Sequence, residues 1–303
     1  MANNANMGFE HRFAFGANPH TFSGTSTRFE VVSSSVGKQG EILDAQGVLG
    51  TRTRREDRTR AGIVNIGGQL VLEPSMRMWD FFLPYILGAA ESTDTFDVAD
   101  TLPGFDMLHD PFGTGANAVK LNELYVSRAS LRFGPGILQL TLDVVGKTIT
   151  TGQTYTSAAL GSSTDVDWPL VFYDSASGFS IQSGAIEIID GELTVENPME
   201  VLFRNSQTAL AIRPSDRIVS LATNIPLTSS TWTTYFGDKA AVDATITITR
   251  GTVASVITLF NLKNPDRSPE LGGKGEVPLV LQSAARGDAS DPDIRVTVIG
   301  GSL

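Results

Sequence analysis

The chain has no cysteine among its 303 residues. That one absence removes disulfides, thiolate metal sites and thiol nucleophiles, and it excludes a small disulfide-built secreted scaffold. Histidine is scarce: only His11, His20 and His109 occur, and no two have the spacing of a zinc pair. A serine or threonine nucleophile needs a neighbouring base, and no G-x-S-x-G elbow is present to display one. Phosphate and dinucleotide loops are missing too. GGKGEV at 272–277 has neither the spacing nor a following helical pattern. Paired carboxylates of the glycosidase type stay open, because their separation is not a property of sequence. The expectation is a protein that is not an enzyme and that holds no cofactor and no metal.

Long apolar runs are absent as well, so no membrane insertion is expected. The start, MANNANMGFEHRF, has no apolar stretch behind a basic end. No signal peptide is expected, and the product is expected in the cytoplasm where it is made. Basic charge is in short supply. The formal net charge is −10, which argues against tight nucleic-acid binding. It is compatible with a surface that keeps DNA off by repulsion. What is there is a 41% hydrophobic, 18% charged composition with 30 Gly and 14 Pro. Such a chain buries a core and connects short strands by many turns.

Residues 1–27 read as an N-terminal arm, polar and Gly/Ser/Thr-rich, with Phe9, Phe13, Phe15 and Phe22 as anchors for its own core or a neighbour. Thr27 to Val36 reads as the first strand, Phe29 and Val31 on one face. The run GTRTRREDRTRA (50–61) is a near-palindrome suited to a long β-hairpin or extended loop with an acidic tip. Its five arginines against two acids give +3, which leaves −13 on the rest of the chain. Arg52, Arg54, Arg55, Glu56, Asp57, Arg58 and Arg60 therefore form the candidate contact site. An acidic surface on another copy, a nucleic acid and plain solvent are the three possible neighbours; alternation rather than a basic block ranks nucleic acid last.

Gly62 to Gly88 reads as a strand running into a helix. Val64, Ile66, Leu70 and Leu72 share one face on a period of two. The helix is expected over 75–88, with Pro74 in its first turn, Gly88 ending it, and Met76, Trp79, Leu83 and Ile86 on its core face. Pro84 is expected to kink or fray its end. From 89 to 119 acids accumulate without a Lys or Arg: Glu91, Asp94, Asp97, Asp100, Asp106 and Asp110. No calcium-loop spacing appears among them. The expectation is a solvated acidic surface, with 105–118 as a long loop.

From Leu121 the pattern is β. Two alternating segments flank Gly134-Pro135-Gly136, a hairpin turn, with Leu138, Leu140, Leu142 and Val144 against Gln139, Thr141 and Asp143. Residues 148–164 read as an exposed connection, and short strands follow to Glu196. Residues 217–262 repeat the order of strand, short helix (229–237, with Trp232) and hairpin. Read as a weak internal duplication, this divides the main domain, 28–303, into about 28–165 and 166–303. Two closing strands follow a Pro/Gly loop at 264–276.

Several of these segments together resemble the tail tube (major tail) proteins of long, non-contractile-tailed bacteriophages. They are GTRTRREDRTRAG, IVNIGGQLVLEPSMRMWDFFLPYILG, LYVSRASLRFGPGILQLTLDVVG and LFNLKNPDRSPELGGKGEVPLVLQ, spread over residues 29–283. The resemblance implies a mainly β fold, a tail-tube-type β-sandwich or barrel with one flanking amphipathic helix, long loops and an N-terminal arm. It implies a structural virion protein whose copies form homohexameric rings, or trimeric rings of two-domain subunits. The rings stack into a tube with an acidic lumen for DNA ejection. Arg52, Arg54, Arg55, Arg58 and Arg60 match the loop that reaches neighbouring subunits and rings. Further partners implied are tape-measure, tail-terminator and baseplate or tail-tip proteins, with DNA passing without specific binding. The rival reading is a soluble β-sandwich binding module, a capsid decoration or carbohydrate-binding protein. Trp79, Trp168 and Trp232 discriminate: exposed on sheet faces they favour the rival, packed under helices they favour the tube.

Overall fold

The two longest strands, Ala118–Phe133 and Gln139–Gln153, join at the predicted Gly134-Pro135-Gly136 turn and form the spine of the fold. The computed structural model describes residues 11–22, 27–44, 56–113, 115, 117–154, 168–173, 177–182, 184–227, 242–263 and 277–299. In chain order the elements are β1 (Arg12–Ala17), β2 (Thr27–Arg28), β3 (Ser33–Ser34), β4 (Gly37–Asp44), β5 (Thr59–Leu72), α1 (Met76–Leu87), β6 (Thr95–Phe96), β7 (Phe105–Asp110), β8 (Ala118–Phe133), β9 (Gln139–Gln153), β10 (Gly178–Ile181), β11 (Gly184–Ile186), β12 (Asp190–Glu196), β13 (Met199–Leu202), β14 (Ala211–Pro214), β15 (Ile218–Pro226), β16 (Val242–Arg250), β17 (Val253–Leu262), β18 (Pro278–Ala284) and β19 (Ile294–Ile299).

The molecule is mainly β, with antiparallel sheets and one described helix. The first sheet contains β18-β15-β12-β8-β9-β5 in lateral order, with β3 and β4 on the far side of β5. A side branch, β7-β1-β2, pairs with the first half of β8. The second sheet runs β11-β10-β16-β17-β19-β6. Strands from before and after residue 165 sit side by side in the first sheet. One apolar cluster spans both sheets.

Helix α1 is held between them. Trp79, Leu83, Ile86 and Leu87 line one apolar pocket with Ala129, Leu131, Leu140, Leu193 and Val195 of the first sheet and Ile294 and Val296 of the second. Eight of its twelve residues are buried, Met76, Trp79, Leu83 and Ile86 among them. The four that are not, Arg77, Asp80, Phe81 and Pro84, recur at helical spacing on one side, so the helix is amphipathic as expected. Ser75 starts it by accepting a hydrogen bond on its hydroxyl from the Met78 amide, 3.2 Å. Pro74 consequently lies just outside the helix, not in its first turn, and its carbonyl accepts from the Leu170 amide. Pro84 does not end the helix, which continues to Leu87 before Gly88 turns away at φ 102°. Trp79 donates its indole N–H to Ser255 at 3.0 Å, which satisfies both polar groups inside the core.

Three expectations are corrected. Phe105–Asp110 is a buried strand, not the start of a loop, and Asp106 and Asp110 are fully buried rather than solvated. The cause is a set of long-range partners. Asp106 accepts from Asn18 Nδ2 (2.6 Å), the His20 amide (2.9 Å) and the Glu123 amide (2.9 Å), and pairs with Lys120 Nζ at 3.0 Å. Burial raises its pKa, yet these hydrogen bonds outweigh that and hold it below the ordinary carboxylate value. Asp110 accepts from the amides of Phe112 and Gly115. The exposed connection expected from 148 begins later, since β9 extends to Gln153.

The described part of the arm docks on the protein's own core. β1 pairs along all of β7. Phe15 joins Phe29, Phe81, Phe82 and Phe105 in one aromatic cluster, with ring centroids 5.1–6.4 Å apart. Val31 packs beside Phe29, but the strand expected over 27–36 is broken into β2 and β3. The short helix expected at 229–237, with Trp232, lies outside the described residues.

Candidate functional site

Alternation in β8, β9 and β12 sends most apolar side chains to the α1 side and leaves a mainly polar face on the other, on which Tyr125 and Val145 are paired. Over residues 123–132, 139–147 and 190–196 that face carries Glu123, Asp143, Asp190, Glu192 and Glu196 against Arg128, Arg132 and Lys147. The register places Glu192 opposite Arg132, Thr194 opposite Ser130 and Glu196 opposite Arg128. Ser130 donates its hydroxyl proton to Glu192. Gln69 Nε2 donates to Asp143 at 3.0 Å, and Asn224 Nδ2 to Asp190 at 2.6 Å. Lys147 pairs with Glu123 at 2.9 Å, and the Tyr125 hydroxyl donates to the same carboxylate. Burial, then that carboxylate, pushes the Tyr125 pKa up to about 12. The result is a lattice of fixed polar side chains with an excess of two acids.

This face lies between two strand edges without a further strand. Among the described residues β4 pairs only with β5, and β18 pairs along its length only with β15, apart from a bridge of Ala284 to Lys263. The path β18-β15-β12-β8-β9-β5-β4 takes six antiparallel steps. The two edge strands therefore run in the same direction. Unpaired edges are templates for pairing with another chain. β4 is also exposed along most of its length.

The candidate contact loop tops a hairpin made by β4 and β5. Asp44 pairs with Thr59, so the arginine-rich run forms the connection and the start of β5. Glu56 and Arg58 are exposed in a short 3-10 turn containing Asp57, and Arg60 is exposed on β5. Arg52, Arg54 and Arg55 lie outside the described residues. β5 leaves β9 at Ile66, so residues 59–65 run on for about 23 Å. They lean on the loop after β13, where the Gln207 carbonyl accepts from the Val64 amide and its side chain donates to Ala61. Ile42, Leu43 and Ile63 are exposed on this hairpin. Gly68, where the strand passes over Ser35, is required: at φ 146° an added Cβ would meet the Ser35 carbonyl at 2.5 Å.

Sequence reasoning missed the polar face, although Arg128/Ser130/Arg132 and Glu192/Thr194/Glu196 already alternate in the sequence. It could not show that these two runs are neighbours. Elsewhere, His11 Nδ1 and His109 Nε2 lie 3.0 Å apart, and burial followed by the His11 charge lowers the His109 pKa. Among the described residues no group of three His, Asp or Glu side chains could hold a metal ion, and no helix is long and apolar enough to cross a membrane. Trp79 is buried on α1, between the helix and the two sheets. Trp168 is exposed, with the Arg250 guanidinium 4.8 Å above its ring.

A family model described as phage tail tube protein matches residues 13–296. The chain belongs to the phage tail tube protein family. No curated protein matches it. Membership makes the chain a structural component of the virion tail.

Proposed function

We propose that copies of this chain close into rings through β4 and β18, with the polar face turned to the bore, and that the rings stack into the tube through which DNA leaves the particle. The observation that supports this reading is the seven-strand path with a polar face, flanked on either side by an edge strand that no further strand covers among the described residues. Because β4 and β18 run the same way, a rotation about the strand direction brings β4 of one subunit beside β18 of the next in a parallel seam. Closure covers both of these edges, which would otherwise be templates for aggregation. Six subunits per ring are proposed, with three two-domain subunits as the second possibility. The excess of acids on the bore face disfavours adhesion of phosphates, so DNA slides without specific binding. The role is mechanical and needs no catalysis. Tape-measure, tail-terminator and tail-tip proteins are the proposed partners at the two ends and in the bore.

The contact loop supplies the test. Arg54→Glu with Arg58→Glu is expected to leave the subunit folded by circular dichroism but to abolish striated tubes in negative-stain micrographs. Tubes growing at the wild-type rate from that variant would remove the loop from the assembly mechanism. A wild-type protein that stays monomeric at high concentration would contradict the ring itself.

A further inference from the structure

The β4–β5 hairpin and the β8–β9 turn lie at opposite ends of the same strands. Leu72 of β5 pairs with Leu140, next to the turn, whereas Thr59 is at the far end beside Asp44. The turn end carries a second exposed apolar surface. Ile137 (50% exposed) bridges to Val171, and Tyr173 (70%) follows in the same segment. That segment is tied down by hydrogen bonds from the Leu138 amide to the Leu170 carbonyl and from the Leu170 amide to the Pro74 carbonyl. Phe172 packs on Phe133 with ring centroids 5.1 Å apart, which fixes the neighbouring Tyr173 backbone. Ile189 (39%) lies across the turn, where a Cβ on Gly134 would come within 3.9 Å of its carbonyl. Trp168 (47%) flanks the patch under Arg250.

We propose that this turn-end patch, centred on Ile137, Tyr173, Trp168 and Ile189, is the surface that receives the β4–β5 hairpin of a second copy. The inference rests on the tube reading above and names the receiving half of its ring-to-ring contact. Three observations select that occupant. Both surfaces expose apolar side chains that a lone subunit would hide: Ile42, Leu43 and Ile63 at one end, the patch at the other. Their net charges differ in sign: residues 37–65 carry six Lys and Arg against four acids, whereas residues 148–203 carry eight acids and no base, Arg250 above Trp168 being a cation beside the patch. Arg58 and Arg60 are exposed on the hairpin, while Glu187 and Asp190 are exposed beside Ile189. The sequence has no Lys or Arg between Lys147 and Arg204. Lastly, the two surfaces point opposite ways along the strands. A contact between unlike surfaces at opposite ends is heterologous, and with no rotation to close it, it propagates as an open stack. Aromatic side chains and arginine are also the residue types that dominate binding energy at such contacts.

The test uses two full-length variants, each with one end disabled and β4 and β18 untouched. Arg58→Glu with Ile63→Asp disables the hairpin, and Ile137→Lys with Tyr173→Lys disables the patch. Each alone is expected to form single rings and no tubes by light scattering and negative stain. Mixed in equal amounts they retain one good hairpin end and one good patch end, so a particle of twice the single-ring mass is expected, with nothing longer. Circular dichroism and thermal melting matching wild type would show that both remain folded. Wild-type tubes from the patch variant, or a mixture that never exceeds single rings, would overturn the proposal while leaving ring formation intact. If wild-type protein forms no rings at all, it is the tube reading that fails, and the proposal with it.

Discussion

Strand β5 has two halves with different fates. From Ile66 to Leu72 it is paired with β9, and Ile66, Leu70 and Leu72 are buried. From Thr59 to Asn65 it leaves the sheet with β4, and only Gly62 is fully covered. The chain is continuous and the pairing with β4 runs across the divide, interrupted by a bulge between Gly40 and Ile42. The difference lies in what covers the strand. The inner half has α1 and the second sheet on one side; the outer half has neither. Hydrogen bonding to β4 and to Gln207 thus dominates the outer half, with Val64 its one apolar contact to the core, and burial holds the inner half. Stability should depend on one and assembly on the other.

The largest effect is expected at the inner half. Leu70→Ala removes a fully buried side chain and should cost about 3 kcal/mol in a urea unfolding curve of the monomer. A loss below about 1 kcal/mol would mean that this half is not part of the core. A smaller effect tests the core helix. Asp80 on α1 has its pKa raised to about 6 by burial, with Glu91 and Asp94 adding to the shift. A raised carboxylate binds its proton more tightly folded than unfolded. Its contribution is therefore full below about pH 4 and is lost as pH rises through about 6. Asp80→Asn should then stabilise the protein at pH 8 by about 1 kcal/mol once solvent screening is allowed for, and leave it unchanged at pH 3.5. Equal melting shifts at both pH values would contradict that assignment. The smallest stability effect belongs to the outer half. Ile63→Ser should change monomer stability by less than about 0.5 kcal/mol while slowing tube growth. A loss as large as that of Leu70→Ala would erase the distinction between the halves.

Much of this was legible before the structure. Leu138 to Val144 declares its faces by alternation, Gly134-Pro135-Gly136 its turn, and Met76, Trp79, Leu83 and Ile86 their helix, because these signals are local. Arg58 and Arg60 stand out by charge pattern, and both are exposed, Arg60 on the β4–β5 hairpin. Asp106 shows the limit. An acid in an acid-rich, base-free stretch reads as solvated, yet its partners Asn18, His20 and Lys120 come from distant parts of the chain. The same holds for the polar face, where Glu192 and Ser130 are 62 residues apart in sequence and bonded in space. Neither pairing follows from periodicity; both depend on which strands become neighbours.

In the proposed ring, β4 of one subunit lies beside β18 of the next. A chain without cysteine allows a direct measurement. Gly40 has open space around its Cα, and Val280 is exposed on β18. A Gly40→Cys, Val280→Cys variant, assembled and treated with a short flexible bis-maleimide, should give a denaturing-gel ladder that ends at the ring number. Each single-cysteine variant should give no ladder. Assembled tubes that yield only monomer from the double variant would contradict the edge-to-edge ring.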